Sequence, residues 1–221
     1  MIIAIDGPAG SGKSTVAREL ARRLGFTYLD SGAMYRAVTL KALETGADLG
    51  DPAALAELAR GTRIELRERD HPYVQVLLDG RDVSEEIRAP RVTGASSQIA
   101  AQSKVREALL AKQRELISNG DWVAEGRDIG TVVAPDAPIK VFLTADPAER
   151  ARRRVAELRR RGIEAEAADT QRAIEQRDRL DSTRSAAPLR PADDAVLIDT
   201  TGLEADEVIE QVLGLVQAQR T

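Results

Sequence analysis

The chain has no cysteine, which excludes disulfides and thiolate metal sites. Its one histidine, His71, leaves too little imidazole for a histidine-based metal centre, and the Asp70-His71-Pro72 setting marks it as a turn residue. Aromatic side chains make up only 3% of the sequence, so a base-stacking surface for single-stranded nucleic acid is not expected. Base recognition in such a chain must rest on polar side chains. No apolar run approaches the length of a membrane span. Met1 leads directly into an apolar segment with no basic n-region, so a cytoplasmic protein without a signal peptide is expected. The net charge of −4 and a pI near 5.3 argue against a protein that coats nucleic acid. The single asparagine, Asn119, is followed by Gly120, so the Asn-Lys-x-Asp guanine site of GTPases is missing.

What is present begins at once. Ile2-Ile3-Ala4-Ile5-Asp6 has the length and texture of a buried strand, and Gly7-Pro8-Ala9-Gly10-Ser11-Gly12-Lys13-Ser14 follows it. Those eight residues match G-x-x-x-x-G-K-[ST], the phosphate-binding P-loop. Its glycines allow successive backbone N–H groups to turn inward around a phosphate. Thr15 to Leu24 then reads as a helix stopped by Gly25, whose N-terminus adds partial positive charge where the anion sits. Lys13 can reach the β/γ-phosphates, and the Ser14 hydroxyl can ligate Mg²⁺. A nucleoside triphosphate is the expected ligand, held by residues 7–15 (Gly7 to Thr15).

At 221 residues the chain can bury one sizeable core, and a single domain over 1–221 is expected. Phe26-Thr27-Tyr28-Leu29 reads as a second strand, and Ser31 as the N-cap of a helix running to Gly46. Asp51-Pro52 opens a short helix. From Thr62 to Val83 the pattern turns β-rich, with turns at residues 70–72 and 79–80, predicting a small antiparallel sheet inserted into the chain. Helices are expected from about Pro90 and from Ser103, then strands at 122–124 and 139–143. Asp146-Pro147 caps a helix carrying Arg150 to Arg161, and a further helix is expected over Thr170 to Arg179. A fifth strand (195–199) and a closing helix (203–218) follow. Strands alternating with helices predict a mostly parallel sheet covered on both faces. Ligands in such sheets lie beyond the carboxyl ends of the strands. Asp6-Gly7, Asp30-Ser31, Glu125 to Asp128 and Asp199-Thr200 all fall there.

A dozen arginines lie between Arg150 and Arg190 in this acidic chain. Arg152, Arg159, Arg160 and Arg161 read as a solvated helical face. Arg177, Asp181 and Arg184 differ, because spacings of four and three put them on one face, with Asp181 between two guanidinium groups. Arginine forks match phosphate oxygens, and phosphoryl transfer benefits from positive charge around them. A small kinase fits: one phosphate loop, an acceptor site and an arginine-rich segment closing over both.

The residues that specify the acceptor are Leu29-Asp30-Ser31-Gly32-Ala33-Met34-Tyr35-Arg36, Val105-Arg106-Glu107-Ala108-Leu109-Leu110, Glu125-Gly126-Arg127-Asp128-Ile129-Gly130-Thr131-Val132-Val133, and Arg177-Asp178-Arg179-Leu180-Asp181-Ser182-Thr183-Arg184 with Ala187-Pro188-Leu189. With the P-loop, and over essentially the whole chain, these resemble the bacterial cytidylate kinases of the nucleoside monophosphate kinase family. The inserted sheet resembles the extension those enzymes carry in their monophosphate-binding region. The resemblance implies a P-loop kinase fold with a monophosphate-binding insertion over about 31–100 and a lid over about 150–184. It implies ATP with Mg²⁺ as phosphoryl donor, CMP or dCMP as acceptor, and a monomer that binds neither nucleic acid nor membrane. Carried over by motif, Lys13, Arg127, Arg177 and Arg184 would be catalytic. Arg36, Arg127 and Arg184 would hold the CMP phosphate, and Ser97, Arg106 and Asp128 would read the cytosine edge. Arg177 and Asp181 would meet sugar hydroxyls and phosphates, while Tyr35, Asp30 and Ser31 would line the acceptor pocket. Ser14 is the expected metal contact. No hydrophobic run ending in Asp marks a Walker B strand, so a second protein contact to Mg²⁺ is unassigned. Another P-loop nucleotide or small-molecule kinase, UMP/CMP-acting for example, is the alternative, followed by a non-catalytic nucleotide switch.

Overall fold

The computed structural model describes residues 1–67 and 74–220; the turn assigned to His71 lies outside them. In chain order the first half contains β1 (Ile2–Asp6), α1 (Lys13–Leu24), β2 (Thr27–Asp30), α2 (Ser31–Thr45), α3 (Pro52–Gly61), β3 (Ile64–Arg67), β4 (Gln75–Leu78) and β5 (Arg81–Asp82). The second half contains α4 (Pro90–Ala100), α5 (Ser103–Leu116), β6 (Trp122–Gly126), β7 (Ile139–Thr144), α6 (Pro147–Arg160), α7 (Ala167–Thr183), β8 (Val196–Asp199) and α8 (Ala205–Arg220).

Five strands form one sheet in the order β2-β6-β1-β7-β8, and every pairing in it is parallel. The register aligns the carboxyl ends: Asp6 lies opposite Gly126 and Phe142, and Asp30 opposite Glu125. The polar strand ends therefore share one rim. Strands β3, β4 and β5 form the separate antiparallel sheet expected from the β-rich insertion.

Apolar stripes place the helices. On one face Val16 and Leu20 of α1 and Val212 and Val216 of α8 pack on Ile3, Ile5 and Val141. On the other, Met34 and Val38 of α2, Leu55 of α3 and Leu109 of α5 pack on Leu29 and Ala124. Burying one such side chain contributes about 1.5–3 kcal/mol. A third cluster seats the inserted sheet, through Val76 and Leu78, on Ala33, Ala37 and Leu40 of α2. The same helix thus carries both the core and the insertion.

Boundaries differ from the sequence reading at several points that bear on the site. The N-cap of α2 is Asp30, whose carboxylate accepts from the Ala33 N–H at 2.9 Å. Ser31 is not the cap because its hydroxyl donates to the Glu125 carbonyl at 2.8 Å, tying α2 to β6. Helix α1 starts two residues early, since Gly12 in the left-handed region caps it and brings Lys13 and Ser14 into its first turn. Helix α7 runs on to Thr183, which places Asp181 within the helix and Arg184 at its cap.

Candidate active site

The phosphate loop is shaped by close approaches that a side chain would block. Gly7 has φ 148°, and a Cβ there would lie 2.0 Å from the Leu143 carbonyl oxygen, so only glycine lets β1 turn beside β7. Lys13 is buried at the first position of α1, and its Nζ donates to the Pro8 carbonyl at 2.6 Å and the Ser11 hydroxyl at 3.4 Å. Ser11 itself donates to the Pro8 carbonyl at 3.0 Å. Burial, then the neighbouring Arg127 charge, lower the Lys13 ammonium to a pKa of about 7, against a smaller raising effect of Glu125. A buried ammonium among cations favours an incoming polyanion.

At the foot of the loop, the Ser14 hydroxyl donates to Glu125 Oε2 at 2.9 Å, and the other carboxylate oxygen accepts from the Tyr28 hydroxyl. Burial raises the Glu125 pKa, Asp30 adding to the effect. Glu125 is the penultimate residue of β6, the strand beside β1. Asp6 ends β1 and accepts from the N–H groups of Ile129 at 2.9 Å and Gly130 at 2.7 Å. Burial raises Asp6 to about 6 despite those bonds, and its carboxylate fixes the turn that carries Arg127 and Asp128.

A cluster of guanidinium groups faces the loop. Asp181 receives Arg127 Nε at 3.0 Å, Arg184 Nη1 at 3.4 Å and Arg177 Nε at 3.9 Å. The sequence spacing anticipated Arg177 and Arg184; Arg127 arrives from the β6 turn. Arg36 donates to Asp30 at 2.7 Å, and Arg88, from the short turn before α4, lies 3.8 Å from the same carboxylate. Arg36 Nε, Arg177 Nε and Arg184 Nη2 are buried with no hydrogen-bond partner. Burial and the charges of Arg127 and Arg36 help to bring Arg177 down to about 10, with Asp181 opposing them. Desolvated N–H donors without acceptors are costly unless a ligand supplies the oxygen.

Beside this cluster, Arg106 of α5 forms a buried ion pair with Asp128 and donates to the Ala100 carbonyl at 3.0 Å. Its guanidinium lies 5.3 Å from the centre of the Tyr35 ring. Arg184 Nη2 lies 3.8 Å from Asp128 Oδ1. Asp128 is thus engaged by Arg106, while Arg127 turns to Asp181. Ser97 is half-buried on α4, the helix whose Ala100 carbonyl holds Arg106.

The family model described as cytidylate kinase matches residues 3–218. The chain belongs to the cytidylate kinase family. It is 52% identical over 218 residues to the cytidylate kinase of Pelotomaculum thermopropionicum, covering 99% of this chain and 96% of that one. It is 50% identical to the cytidylate kinase of Carboxydothermus hydrogenoformans, over 98% and 97% of the two chains. A bifunctional pantoate ligase/cytidylate kinase of Prochlorococcus marinus is also 50% identical, and there the match covers 99% of this chain but 45% of the relative. A solved gluconokinase from Sinorhizobium meliloti shares the fold at a TM-score of 0.50 and 15% identity, over 99% and 93% of the chains.

Membership in the cytidylate kinase family makes this chain a phosphotransferase built on a P-loop kinase fold. Among the described residues no helix is long and apolar enough to cross a membrane. None of their His, Cys, Asp and Glu side chains form a group of three able to hold a metal. Mg²⁺ is bound through one or two protein oxygens together with substrate phosphates, and the Ser14 hydroxyl and the Glu125 carboxylate lie together at the foot of the loop.

Proposed function

We propose that the chain transfers the γ-phosphoryl group of ATP to the phosphate of CMP or dCMP, giving ADP and CDP or dCDP. The observation that carries this is the pairing of a phosphate loop with a second group of cations, three of whose guanidinium nitrogens are buried without a hydrogen-bond partner. One phosphate loop serves the donor; the cluster fits the phosphate of an acceptor. A nucleotide switch needs no such second site.

The roles follow from position. Residues Gly7 to Thr15 wrap the ATP phosphates, with Lys13 released from the Pro8 carbonyl onto the transferring group. Arg36, Arg127 and Arg184 hold the acceptor phosphate. Arg177 lies between the two, its field felt by Lys13. Asp181 keeps these cations from repelling one another and turns its remaining lone pairs to the sugar. Ser14 and Glu125 would hold Mg²⁺, which when bound neutralises charge on the donor phosphates. The acceptor oxygen forms its bond to γ-phosphorus as the bridging bond to the β-phosphate breaks, and the leaving charge remains on ADP. No protein base is needed; positioning and charge supply the acceleration.

Base choice rests on Asp128 and Arg106. A carboxylate accepts only, which suits the cytosine amine, and the Arg106 fork donates to the ring acceptors. Uracil presents an oxygen where cytosine has its amine, so it would face the Asp128 carboxylate acceptor to acceptor. Asp30 and Ser31 support this pocket from behind, through Arg36 and β6, and Tyr35 supports Arg106. Ser97 contributes from α4.

Asp128→Asn tests the reading. It should lower CMP kcat/KM by about tenfold or more, with UMP losing much less, because an amide can donate to the uracil oxygen. A CMP/UMP ratio unchanged in the folded variant would rule Asp128 out as the base reader.

A further inference from the structure

We propose that Asp178 is a positioning residue: it locks the root of α7 to the phosphate loop and thereby sets Arg177 against the transferring phosphate. The inference rests on the phosphoryl-transfer reading above.

One residue of the loop, Ala9, is held through both its backbone N–H and its carbonyl. The Ala9 N–H donates to Asp178 Oδ1 at 3.4 Å, and the Ala9 carbonyl accepts from Arg150 Nη1 at 3.2 Å. Asp178 and Arg150 form an ion pair with each other, closing a three-membered lock. Arg150 also donates from Nε to the Ala145 carbonyl at 3.1 Å, so its guanidinium ties the segment before α6 to the loop and to α7. An arginine of the basic helix α6 is therefore a buried fastener.

Gly10 gives independent support. A Cβ at Gly10 would lie 2.8 Å from the Arg150 carbonyl oxygen and 2.9 Å from Arg150 Cβ. The first turn of α6 is thus in direct contact with the loop, and the lock joins loop, α6 and α7 without slack.

Arg177 precedes Asp178, and successive helical side chains diverge by about 100°. With Asp178 facing the loop, Arg177 faces the cation cluster. Its Nε has no hydrogen-bond partner, and its nearest carboxylate, Asp181, is 3.9 Å away. No strong contact of its own fixes that head group. Its place depends on where the helix sits, which Asp178 sets on the donor side and Asp181 on the acceptor side. An error of about 1 Å in such a group can cost about 100-fold in rate.

A kinetic cycle on the full chain tests this, with Asp178→Asn, Arg177→Ala and the double variant assayed with ATP and CMP. Asp178→Asn is near-isosteric and keeps an acceptor while removing the charge opposite Arg150. The expected result is a fall in kcat of about tenfold or more with KM for CMP within about twofold. The double variant should then be no slower than Arg177→Ala alone, because both changes remove one interaction. Losses that multiply, or a raised KM for CMP with kcat intact, would overturn the proposal. Should Asp178→Asn lower the yield of folded enzyme, Arg150→Lys loosens the same lock, and the same non-additivity with Arg177→Ala is required. The phosphoryl-transfer reading is judged separately by whether the unaltered chain phosphorylates CMP.

Discussion

Burial and the charge of Arg127 hold Lys13 at a pKa of about 7 before any phosphate is present, so the loop has an unmet demand for negative charge. Lys13→Ala should leave the fold intact, since the side chain contacts only the loop's own oxygens. Turnover should fall below about a tenth of the starting value, because a lost charge-stabilising donor costs about 3–4 kcal/mol of transition-state energy. Steady-state rates alongside circular dichroism check both halves. Glu125→Gln makes a different prediction: the Mg²⁺ concentration for half-maximal rate should rise about tenfold while KM for CMP stays put, which a metal titration reads directly. The contrast shows what sequence makes legible at this scale. Lys13 and Ser14 belong to a local pattern whose spacing carries its own chemistry. Glu125 meets Ser14 across 111 residues, and Arg127 reaches Asp181 across 54, so neither pairing leaves a local trace. Asp30 caps α2 with one oxygen and holds Arg36 of the same helix with the other.

Helices α6 and α7 pack against each other beside the phosphate loop. We propose that they form the lid, rooted at Arg150 and Asp178 and free to move toward the turn between them. Hydrogen exchange with and without both nucleotides should show ligand-dependent protection over about 155–176 while the roots stay protected throughout. Equal protection of that stretch in both states would remove the lid. Glu149 governs how α6 withstands acid. Its hydrogen bonds to Arg152 and Arg153 lower it to a pKa of about 2 from 4.5. A depressed carboxylate contributes stability above its unfolded pKa and loses it as pH falls through the folded one. Stability should therefore decline between about pH 4.5 and 2, and Glu149→Gln should flatten that part of the curve; urea midpoints across the range read it. The sequence announced α6 through Asp146-Pro147, and Asp146 does cap it. The extra turn of α7 was not announced, because Ser182 and Thr183 are poor helix formers held there by buried Asp181, whose side chain three guanidinium groups surround.

At the scale of the whole molecule, topology performs the assembly. The order β2-β6-β1-β7-β8 places the phosphate loop at the centre of the sheet, with β6 delivering Glu125, Arg127 and Asp128 on one side. Alternation of strands and helices in the sequence was enough to anticipate the parallel sheet and its ligand-bearing rim, because crossover connections allow few other arrangements. The order of the strands was not readable, since it depends on which apolar faces meet: Leu109 of α5 packs with Leu29 and Met34, fixing the β6 side of the sheet. Leu109→Ala should cost about 2–5 kcal/mol of stability in urea unfolding. The account as a whole rests on one acceptor. Coupled ADP release with ATP, Mg²⁺ and each of CMP, dCMP, UMP, AMP and GMP measures it. CMP and dCMP should turn over well, UMP should be slower by about 100-fold or more in kcat/KM, and the purine monophosphates should be inert. Comparable rates with UMP or AMP, or no acceptor-dependent ADP release with CMP, would contradict the account.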